Sequence, residues 1–597
     1  MAIENLITDH LDLWTAAVRP KSSAGRGSNS KLELTGIKKL RELILELAVR
    51  GKLVPQDPND EPASVLLERI AVEKARLVKE GKIKMPNALP EISEKDKSFE
   101  LPKGWAWAVM PQVVKNDKYA IKRGPFGSSL QKAFFVRQGY KVYEQQHAIN
   151  NDFYCGEYYI SDNKFEELKA FEVRPFDLII SCSGTVGKVA VAPLDMEPGI
   201  INQALLKISL NTLALTNEYF KILFPAYFMK TETLSELQGT AQKNMVSVDV
   251  LKNEPFPYPP IDEQHRIVAK VDELMVLCDQ LEQRCESQLA AHQTLVETLL
   301  ATLTDCVDAD ELAQNWARLS THFDTLFTTE RSIDALKQTI LQLAVMGKLV
   351  PQDPSDEPAS ALLERIAAKK EQLVKEKKIK KEKPLPLIFE DGRLFEIPNE
   401  WAWSNIGETF LVTGGLQKTP KRTPVLNHYP YLAVANVQRG RLELDDLKRF
   451  EVTSEELERY RLMPGDLMVV EGNGSENEIG RCAIWSGEVQ DCLHQNHLIK
   501  CRPLSLDLSS WVLQTLNSPF GIAVMKSLAV TSSGLYNLSV GKIRSIAFPL
   551  PPLKEQHRIV AKVDELMTLC DQLKSRLQTN QQTQLALAES LAEGALA

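Results

Sequence analysis

Two stretches of the chain, residues 101–258 and 397–550, carry side chains whose chemistry suits nucleic acid. Arg can pair bidentately with guanine and Asn or Gln with adenine, while Lys and small hydroxyl groups hold phosphates. The side chains offered for such contacts are Lys122, Arg123, Lys188, Gln242, Lys243, Asn244, Lys421, Arg422, Arg439, Arg441, Gln495, Asn496, Ser532, Ser533 and Tyr536. These residue types are common on any protein surface, so their presence alone identifies no function.

Two polar loops stand out among these candidates by their position. Residues 242–244 and 532–534 lie at related offsets late in the two stretches, and we expect these loops to touch DNA if the chain binds it. Hydrogen bonding within their own domain is an equally favoured alternative to DNA contact for Gln495, Asn496 and His497.

The sequence shows no pattern typical of a catalytic or metal site. The loop Ser183–Lys188 resembles a phosphate-binding loop, but Cys182 stands where that motif needs glycine and Val189 where it needs Ser or Thr. The segment Cys492–His497, with Cys501, has no usual zinc spacing, and a strand would point its groups to opposite faces. The motif of an amino-methyltransferase, Asn or Asp before Pro-Pro and an aromatic residue, is absent, as are GxSxG and HExxH. We therefore expect no catalytic residue, metal or cofactor in this chain.

Length and composition describe a globular protein of several domains. The 597 residues, at about 150 per domain, allow roughly four domains. No apolar stretch is long enough to span a membrane, and the first residues lack the basic and apolar segments of a signal peptide. The nine cysteines are scattered and never form CxxC, which favours reduced thiols. These features predict a cytoplasmic protein with no membrane association.

The charge balance argues against a chain that binds nucleic acid unaided. Lys and Arg number 71 against 79 Asp and Glu, which gives a net charge of −8. Residues 101–260 hold 17 basic and 16 acidic residues, and residues 396–552 hold 15 and 17. Affinity from counterion release would need basic residues gathered on one face or supplied by partner subunits.

The two stretches are held in a frame that occurs twice. Residues 48–70 return as residues 344–366, and residues 259–281 return as residues 551–573, each time with 20 of 23 positions identical. Between these blocks the copies share only fragments. A duplicated frame with dissimilar inserts suits a chain that must present two different surfaces in related orientations. The alternative is a recent duplication in which one copy has drifted.

Each copy of the frame ends in a long helix with a heptad pattern. The seam of the first helix consists of Ile267, Val271, Leu274, Cys278, Leu281, Cys285, Gln288, His292, Leu295 and Leu299, and the second copy repeats it from Ile559 to Leu591. Such a seam must be buried against a partner. An antiparallel pair of the two helices would relate the copies by an approximate two-fold axis, whereas the alternative packs each helix on its own insert. The earlier repeated block predicts helices that end at Gly51 and Gly347.

The inserts combine helices and strands, since short apolar runs such as Asp177–Cys182 and Asp466–Glu471 end at glycine-rich loops. The predicted fold class is α+β, with two mixed α/β domains separated by two long antiparallel helices, a coiled coil, in a pseudo-two-fold repeat. The predicted divisions are residues 1–100 (helical region), 101–258 (first domain), 259–303 (central long helix), 304–396 (helical repeat of the first region), 397–550 (second domain) and 551–597 (distal long helix).

The chain closely resembles a known family along nearly its whole length. The resemblance rests on the repeated frame and on Tyr431–Gly440, Tyr460–Leu467, Ile479–Trp485, Gln495–Leu498 and Pro549–His557. These segments are similar to those of specificity subunits of type I restriction-modification enzymes. The resemblance implies two target recognition domains that each read one half of a split, asymmetric double-stranded DNA site, and two long helices that set the gap.

The resemblance also implies partners that carry the chemistry. Two methylation subunits, which bind S-adenosylmethionine and methylate adenine, would dock on the long helices and close around the DNA. Two restriction subunits would cleave DNA with ATP and Mg²⁺. Shorter members lack the roughly 100 residues that precede the first domain here, and we expect these residues to pack beside the distal helix and widen the docking platform.

Two other functions stay open at this point. One is the specificity subunit of a fused nuclease–methyltransferase system without an ATP motor, which differs only in its neighbouring chains. The other is a helical scaffold with no role on DNA, which predicts no sequence preference.

Overall fold

The computed structural model describes residues 3–20, 32–84, 88–231, 245, 247–307, 309–382, 384–385, 395–473, 478–532 and 535–596. The helices, numbered in chain order, are α1 (Ile3–Thr8), α2 (Leu11–Ala16), α3 (Thr35–Val49), α4 (Ala63–Lys79), α5 (Met110–Val113), α6 (Gln145–Asn150), α7 (Asp162–Glu167), α8 (Asn217–Ala226), α9 (Val248–Asn253), α10 (Ile261–Thr304), α11 (Ala309–Thr321), α12 (Phe323–Leu326), α13 (Glu330–Val345), α14 (Ala359–Lys375), α15 (Ile406–Thr409), α16 (Ser454–Tyr460), α17 (Leu508–Asn517), α18 (Pro519–Leu528), α19 (Val540–Arg544) and α20 (Leu553–Leu596). Within the described ranges, no helix is both long and apolar enough to cross a membrane.

The chain divides into two compact units, and each long helix begins in one unit and ends in the other. Unit 1 contains residues 1–19, 32–286 and 581–597, and unit 2 contains residues 20–31 and 287–580. The start of α10 and the end of α20 therefore belong to unit 1, while the end of α10 and the start of α20 belong to unit 2.

In unit 1, the repeated helix α3 contacts the first part of α10. The Arg41 guanidinium pairs with Asp279 at 2.7 Å, and Gln56, just beyond the end of α3, donates from Nε2 to Glu263 Oε1 at 2.8 Å. Later residues of the α3 segment therefore meet earlier residues of α10, so α10 runs antiparallel to α3.

The end of α20 packs on the same helix in the other direction. Lys39 pairs with Glu589 at 3.8 Å, and Lys52 Nζ donates to the carbonyl oxygen of Leu596 at 2.7 Å. Since α20 runs parallel to α3 and α10 runs antiparallel to it, the two long-helix segments of unit 1 are antiparallel. The prediction that the first 100 residues pack beside the distal helix is confirmed for α3.

Unit 2 repeats these contacts with the roles of the long helices exchanged. On α13, the counterpart of α3, Lys337 pairs with Asp571 of α20. Lys348 Nζ donates to the carbonyl oxygens of Thr304 at 3.0 Å and Cys306 at 2.8 Å, as Lys52 does to Leu596. The predicted antiparallel arrangement is therefore confirmed inside each unit.

The predicted heptad seam holds only for the first half of each long helix. Its residues from Ile267 to Cys285 are buried or half-buried, but Leu295 is 51% exposed and Val296 is fully buried in its place. In α20, Leu587 is likewise 53% exposed beside a fully buried Ala588. A straight helix has about 3.6 residues per turn, so a strict heptad drifts off the buried face, and an 11-residue step from Cys285 to Val296 restores it. The predicted seam is therefore wrong at Gln288 and Leu295, which are exposed, whereas His292 and Leu299 are half-buried.

The repeated helices end at the predicted glycines. The backbone of Gly51 has φ +67° and that of Gly347 has φ +71°, a left-handed conformation that glycine adopts without strain. The N–H of Lys52 donates to the carbonyl of Leu47 at 2.9 Å, which satisfies one of the free carbonyls at the helix end.

The insert of unit 1, here called domain 1, contains two main sheets. Its strands are β1 (Ala106–Ala108), β2 (Ile121–Arg123), β3 (Phe135–Val136), β4 (Tyr140–Tyr143), β5 (Tyr159–Ile160), β6 (Glu172–Val173), β7 (Leu178–Ser181), β8 (Val189–Val191), β9 (Gly199–Ile201), β10 (Leu205–Ile208) and β11 (Phe256–Tyr258). The antiparallel sheet has the order β8-β7-β10-β2 and the mixed sheet the order β3-β5-β4-β9-β6, while β1 pairs with β11. The pair β1–β11 joins the two ends of the domain at the frame.

The insert of unit 2, here called domain 2, is built on the same plan. Its strands are β12 (Ala402–Asn405), β13 (Phe410–Gly414), β14 (His428–Leu432), β15 (Lys448–Glu451), β16 (Leu467–Val470), β17 (Gly472–Asn473), β18 (Cys482–Ile484), β19 (Leu493–His494), β20 (Leu498–Pro503), β21 (Val530–Ser532), β22 (Leu535–Asn537) and β23 (Ala547–Leu550). The four-stranded sheet has the order β13-β20-β16-β18, which matches β2-β10-β7-β8, and β12 pairs with β23. Two three-stranded sheets, β15-β14-β19 and β17-β22-β21, complete the domain.

A buried lysine on the central strand explains one of the sequence fragments that the two inserts share. Lys207 donates to the carbonyl of Glu172 at 2.7 Å, and Lys500 donates to the carbonyls of Arg459 at 3.3 Å and Arg461 at 3.4 Å. Burial lowers the pKa of both amines, that of Lys500 to about 8. These lysines hold neighbouring segments against the sheet, so the shared fragment has a structural role.

A buried network fixes each domain to its long helix. In unit 1, Glu263 of α10 accepts hydrogen bonds from Trp105 Nε1 at 2.9 Å and Gln56 Nε2 at 2.8 Å. In unit 2, Glu555 accepts from Trp401 and Gln352 at 3.1 and 2.8 Å. Both carboxylates are 1% exposed, and burial raises their pKa. The network links the repeated helix segment, the long helix and the first residues of the domain.

Removing the acceptor of this network should destabilise unit 1. We expect Glu263→Ala to lower the free energy of unfolding by about 2 kcal/mol, because the buried N–H of Trp105 loses its partner, while the Gln56 amide keeps its hydrogen bond to the carbonyl of Gly51 at 3.1 Å. Urea unfolding followed by tryptophan fluorescence would measure the loss. The control is Glu273→Ala on the same helix, whose carboxylate is 58% exposed and should contribute less than about 0.5 kcal/mol. Equal losses in the two variants would contradict the proposed role of the network.

Candidate nucleic-acid interface

Several loops of domain 1 meet at one end of its four-stranded sheet. Cys182 follows β7, and its carbonyl accepts a hydrogen bond from the N–H of Met245 at 3.0 Å, while its N–H donates to Ala204 at 2.8 Å. Gly124 follows β2, and its N–H donates to the carbonyl of Leu205 at 3.0 Å. We call this region, made of residues 124–129, 182–188, 202–204 and 245, the loop end of domain 1.

Domain 2 has the same arrangement at the corresponding end of its sheet. Glu471 follows β16; its carbonyl accepts from the N–H of Leu538 at 2.7 Å, and its N–H donates to the carbonyl of His497 at 2.9 Å. The N–H of Asn496 donates to Leu416 at 2.9 Å. Residues 415–419, 471–473, 495–497 and 536–538 form the loop end of domain 2.

A glycine allows the close approach of two loops in each domain. A Cβ atom on Gly124 would lie 1.8 Å from the carbonyl oxygen of Asn202, and one on Gly415 would lie 2.3 Å from that of Gln495. Any larger residue would push these turns apart. The equivalence of the two glycines shows that the loop ends share a backbone design, although the inserts differ in sequence.

The candidate residues of domain 1 lie in different environments. Lys122 Nζ lies over the rings of Tyr119 and Phe171, at 5.7 and 5.2 Å from their centroids, and Lys188 is exposed at the loop end. Gln242, Lys243 and Asn244 lie outside the described residues.

Arg123 is placed to hold loops together. Its guanidinium donates to the carbonyl oxygens of Met245 at 3.2 Å and Cys182 at 3.5 Å, and it lies 5.5 Å from the ring centroid of Phe126. Phe126 is 63% exposed. Phe126 is not among the candidates predicted from the sequence, although its position in a Gly-Pro-Phe-Gly segment is typical of an exposed turn.

In domain 2, the basic candidates are mostly paired within the protein. Arg422 makes a bidentate pair with Glu456 at 2.8 and 3.2 Å, and Arg441 pairs with Glu443 at 3.1 Å. Lys421 is exposed. Arg439 is largely withdrawn from water, and this burial lowers the pKa of its guanidinium.

The polar candidates of domain 2 gather at the loop end. Gln495, Asn496 and Tyr536 are half-buried there. The backbone N–H of Gln495 donates to Leu432 at 2.9 Å, so the turn has a structural role through its main chain. Ser532 ends β21, and Ser533 lies outside the described residues.

The cysteine–histidine segment does not form a cluster. Cys492, His494 and Cys501 are buried, whereas the His497 side chain is 56% exposed beside Glu471. Burial lowers the pKa of His494 to about 3 and keeps its ring neutral. Across the described ranges, no group of three or more His, Cys, Asp or Glu side chains is placed to hold a metal ion.

Comparison with known proteins gives the family. The family model described as type I restriction modification DNA specificity domain matches residues 130–291 and 398–582. The chain is 42% identical to the type I restriction enzyme EcoEI specificity subunit of Escherichia coli and 42% identical to the EcoAI specificity subunit of the same species, each time over 100% of both chains.

Two solved structures of type I systems have lower sequence identity to this chain. The HsdS subunit of Thermoanaerobacter tengcongensis is 16% identical, with a TM-score of 0.37 over 84% of this chain and 99% of that one. A chain from a type I R-M system has a TM-score of 0.45 at 16% identity, over 83% and 99%. The full-length relatives and the two matched regions confirm the resemblance seen in the sequence. The chain belongs to the specificity subunits of type I restriction enzymes.

Proposed function

We propose that this chain is a non-catalytic recognition subunit whose two domains each read one half of a bipartite, asymmetric DNA site. The observation that carries the proposal is the repeated backbone design of the loop ends, which bear different side chains in the two domains. Two equivalent scaffolds with unlike reading residues suit two unlike half-sites. The long helices, anchored in both units, set the gap between them.

The frame also supports docking of two copies of one partner. Unit 1 exposes Leu277 (41%) and Leu587 (53%), and unit 2 exposes their counterparts Leu569 (53%) and Leu295 (51%). Each pair stands at positions related by the repeat, so each unit offers the same apolar side chains to a partner. This favours two methylation subunits on the long helices, with S-adenosylmethionine bound in those subunits. Two restriction subunits with ATP and Mg²⁺ would supply cleavage.

The net charge of −8 favours a complex in which partner subunits supply part of the contact with DNA. A chain without an excess of basic residues gains little from counterion release, so partner subunits would contribute phosphate contacts. The alternative of a fused nuclease–methyltransferase system gains no support from the comparisons, whose relatives are subunits of type I enzymes.

The test is reconstitution of the chain with its methylation subunits and selection from random DNA duplexes. We expect the selected DNA to show two short unlike motifs at a fixed gap. Methylation subunits alone are the control and should select no motif. A single continuous motif, or no preference, would contradict the proposal. Assays of cleavage with and without ATP, after adding restriction subunits, test the assignment of an ATP motor.

A further inference from the structure

Glu471 occupies the centre of the loop end of domain 2. Its backbone is held on both sides, by the N–H of Leu538 at 2.7 Å and by the carbonyl of His497 at 2.9 Å. The position of its Cα atom is thus fixed by two neighbouring loops. The side chain is 29% exposed, with one carboxylate oxygen 3.7 Å from His497 Nδ1. A rigid backbone and a partly exposed acceptor are what reading of a base edge requires.

The equivalent position of domain 1 carries a different group. Cys182 follows β7 as Glu471 follows β16, and its carbonyl accepts from Met245 as that of Glu471 accepts from Leu538. The Cys182 thiol is fully buried. The backbone of this position is therefore repeated while its side chain is not, which is the pattern expected of a residue that distinguishes two half-sites.

The charge of Glu471 restricts what it can do beside DNA. A carboxylate is repelled by phosphates and offers only acceptors, so its favourable contact is with an amino group on a base. In the major groove, cytosine presents its N4 amino group, and Glu or Asp can accept from it. Burial raises the pKa of Glu471, because part of its hydration is already lost before any DNA arrives. Less water then has to be removed when a base replaces it.

We propose that Glu471 is a specificity-determining residue of domain 2, whose carboxylate accepts a hydrogen bond from the N4 amino group of a cytosine in the corresponding half-site. This inference rests on the proposed function. It assigns one residue to one kind of base, which the family relationship does not do.

The test compares two affinities of the complex with methylation subunits, for a duplex with the selected site and for an unrelated duplex. In Glu471→Gln, we expect affinity for the selected site to fall about tenfold, because a neutral amide oxygen accepts from cytosine more weakly than a carboxylate, and the amide can pair with adenine instead. Affinity for the unrelated duplex should rise or stay the same, because a repulsive charge is removed. Repeating the selection should show relaxed preference at one position of one half-site only.

Two further variants make the result decisive. Glu488→Gln removes an equal charge from the turn between β18 and β19, at the opposite end of β16, where the Glu488 carboxylate accepts from the N–H of Ser486 at 3.0 Å. It should leave both affinities unchanged. Glu471→Asp keeps the charge but shortens the side chain, and it should weaken the selected site without strengthening the unrelated duplex.

Three outcomes would overturn the inference. If both affinities rise in Glu471→Gln, the residue only repels DNA. If both affinities fall in Glu471→Gln, the role of the residue is structural. The role is also structural if Glu471→Gln unfolds at a lower temperature and Glu471→Asp keeps its full preference for the selected site. If the selected position does not change, Glu471 does not read it. Absence of any bipartite preference in the unaltered complex would instead refute the proposed function itself.

Discussion

Exchanging domain 1 for that of another type I specificity subunit should replace one half of the recognised sequence and leave the other half unchanged. The exchange would span the residues between Trp105 and Pro259, so that the frame keeps the tryptophan that donates to Glu263. The pair β1–β11 brings the two ends of the domain together, and the same attachment recurs at β12–β23. A foreign domain of the same design would therefore seat on an unchanged frame. Sequencing of DNA methylated by the reconstituted complex would give the new site.

The matched control is the corresponding exchange between Trp401 and Pro551, which should alter only the other half. The gap should stay the same in both chimaeras, because neither exchange touches a long helix. A chimaera in which both halves change would show that the domains do not read independently. Loss of all methylation with retained complex formation would argue against reading by these inserts.

Removing one heptad from each long helix should shorten the gap between the half-sites. Deletion of residues 284–290 and 576–582 removes seven residues from each helix, which is about 10 Å at about 1.5 Å per residue. At about 3.4 Å per base pair this corresponds to at most about three base pairs, and we expect a contraction of one to three. Both half-sites should keep their sequences. The measurement is again the methylation-site map.

The α10 deletion lies between two anchoring contacts but removes the buried Cys285, and the α20 deletion removes the hydrogen bond from Gln578 to Glu330 at 3.0 Å. The anchoring contacts on α10 are those of Glu282, which pairs with Arg41, and His292, which contacts the carbonyl of Thr325 at 3.1 Å. A deletion in α10 alone is the control. It makes the two long helices unequal in length, and we expect it to abolish assembly with the methylation subunits. An unchanged gap after the paired deletion would mean that the helices do not act as the spacer.

The frame could be predicted well from sequence because its signals are local and occur twice. Gly51 and Gly347 end the repeated helices as predicted, and the seam from Ile267 to Cys285 is buried or half-buried. The seam prediction was wrong at Gln288 and Leu295, because a periodic pattern does not say where the buried face of a helix changes. The change is found only in the folded chain, where Leu295 is exposed and Val296 is buried.

The loop ends could be predicted only in part, because they depend on contacts between distant segments. The sequence singled out Gln495 and Asn496, but not Glu471, whose place is defined by hydrogen bonds to residues 497 and 538. It offered Arg422 for contact with DNA, and the fold shows that this side chain also pairs with Glu456. Spacing along the chain cannot reveal such partners, since the residues that join come from separate strands.

Each copy of the repeated frame packs on the end of the long helix that belongs to the other copy, which bears on how the chain originated. Lys52 contacts the end of the helix encoded by the second copy, and Lys348 contacts the end of the helix encoded by the first. Each half of the polypeptide thus completes its fold with a piece supplied by the other half. This mutual dependence preserves the repeated frame in both copies, while the two inserted domains are free to diverge in sequence.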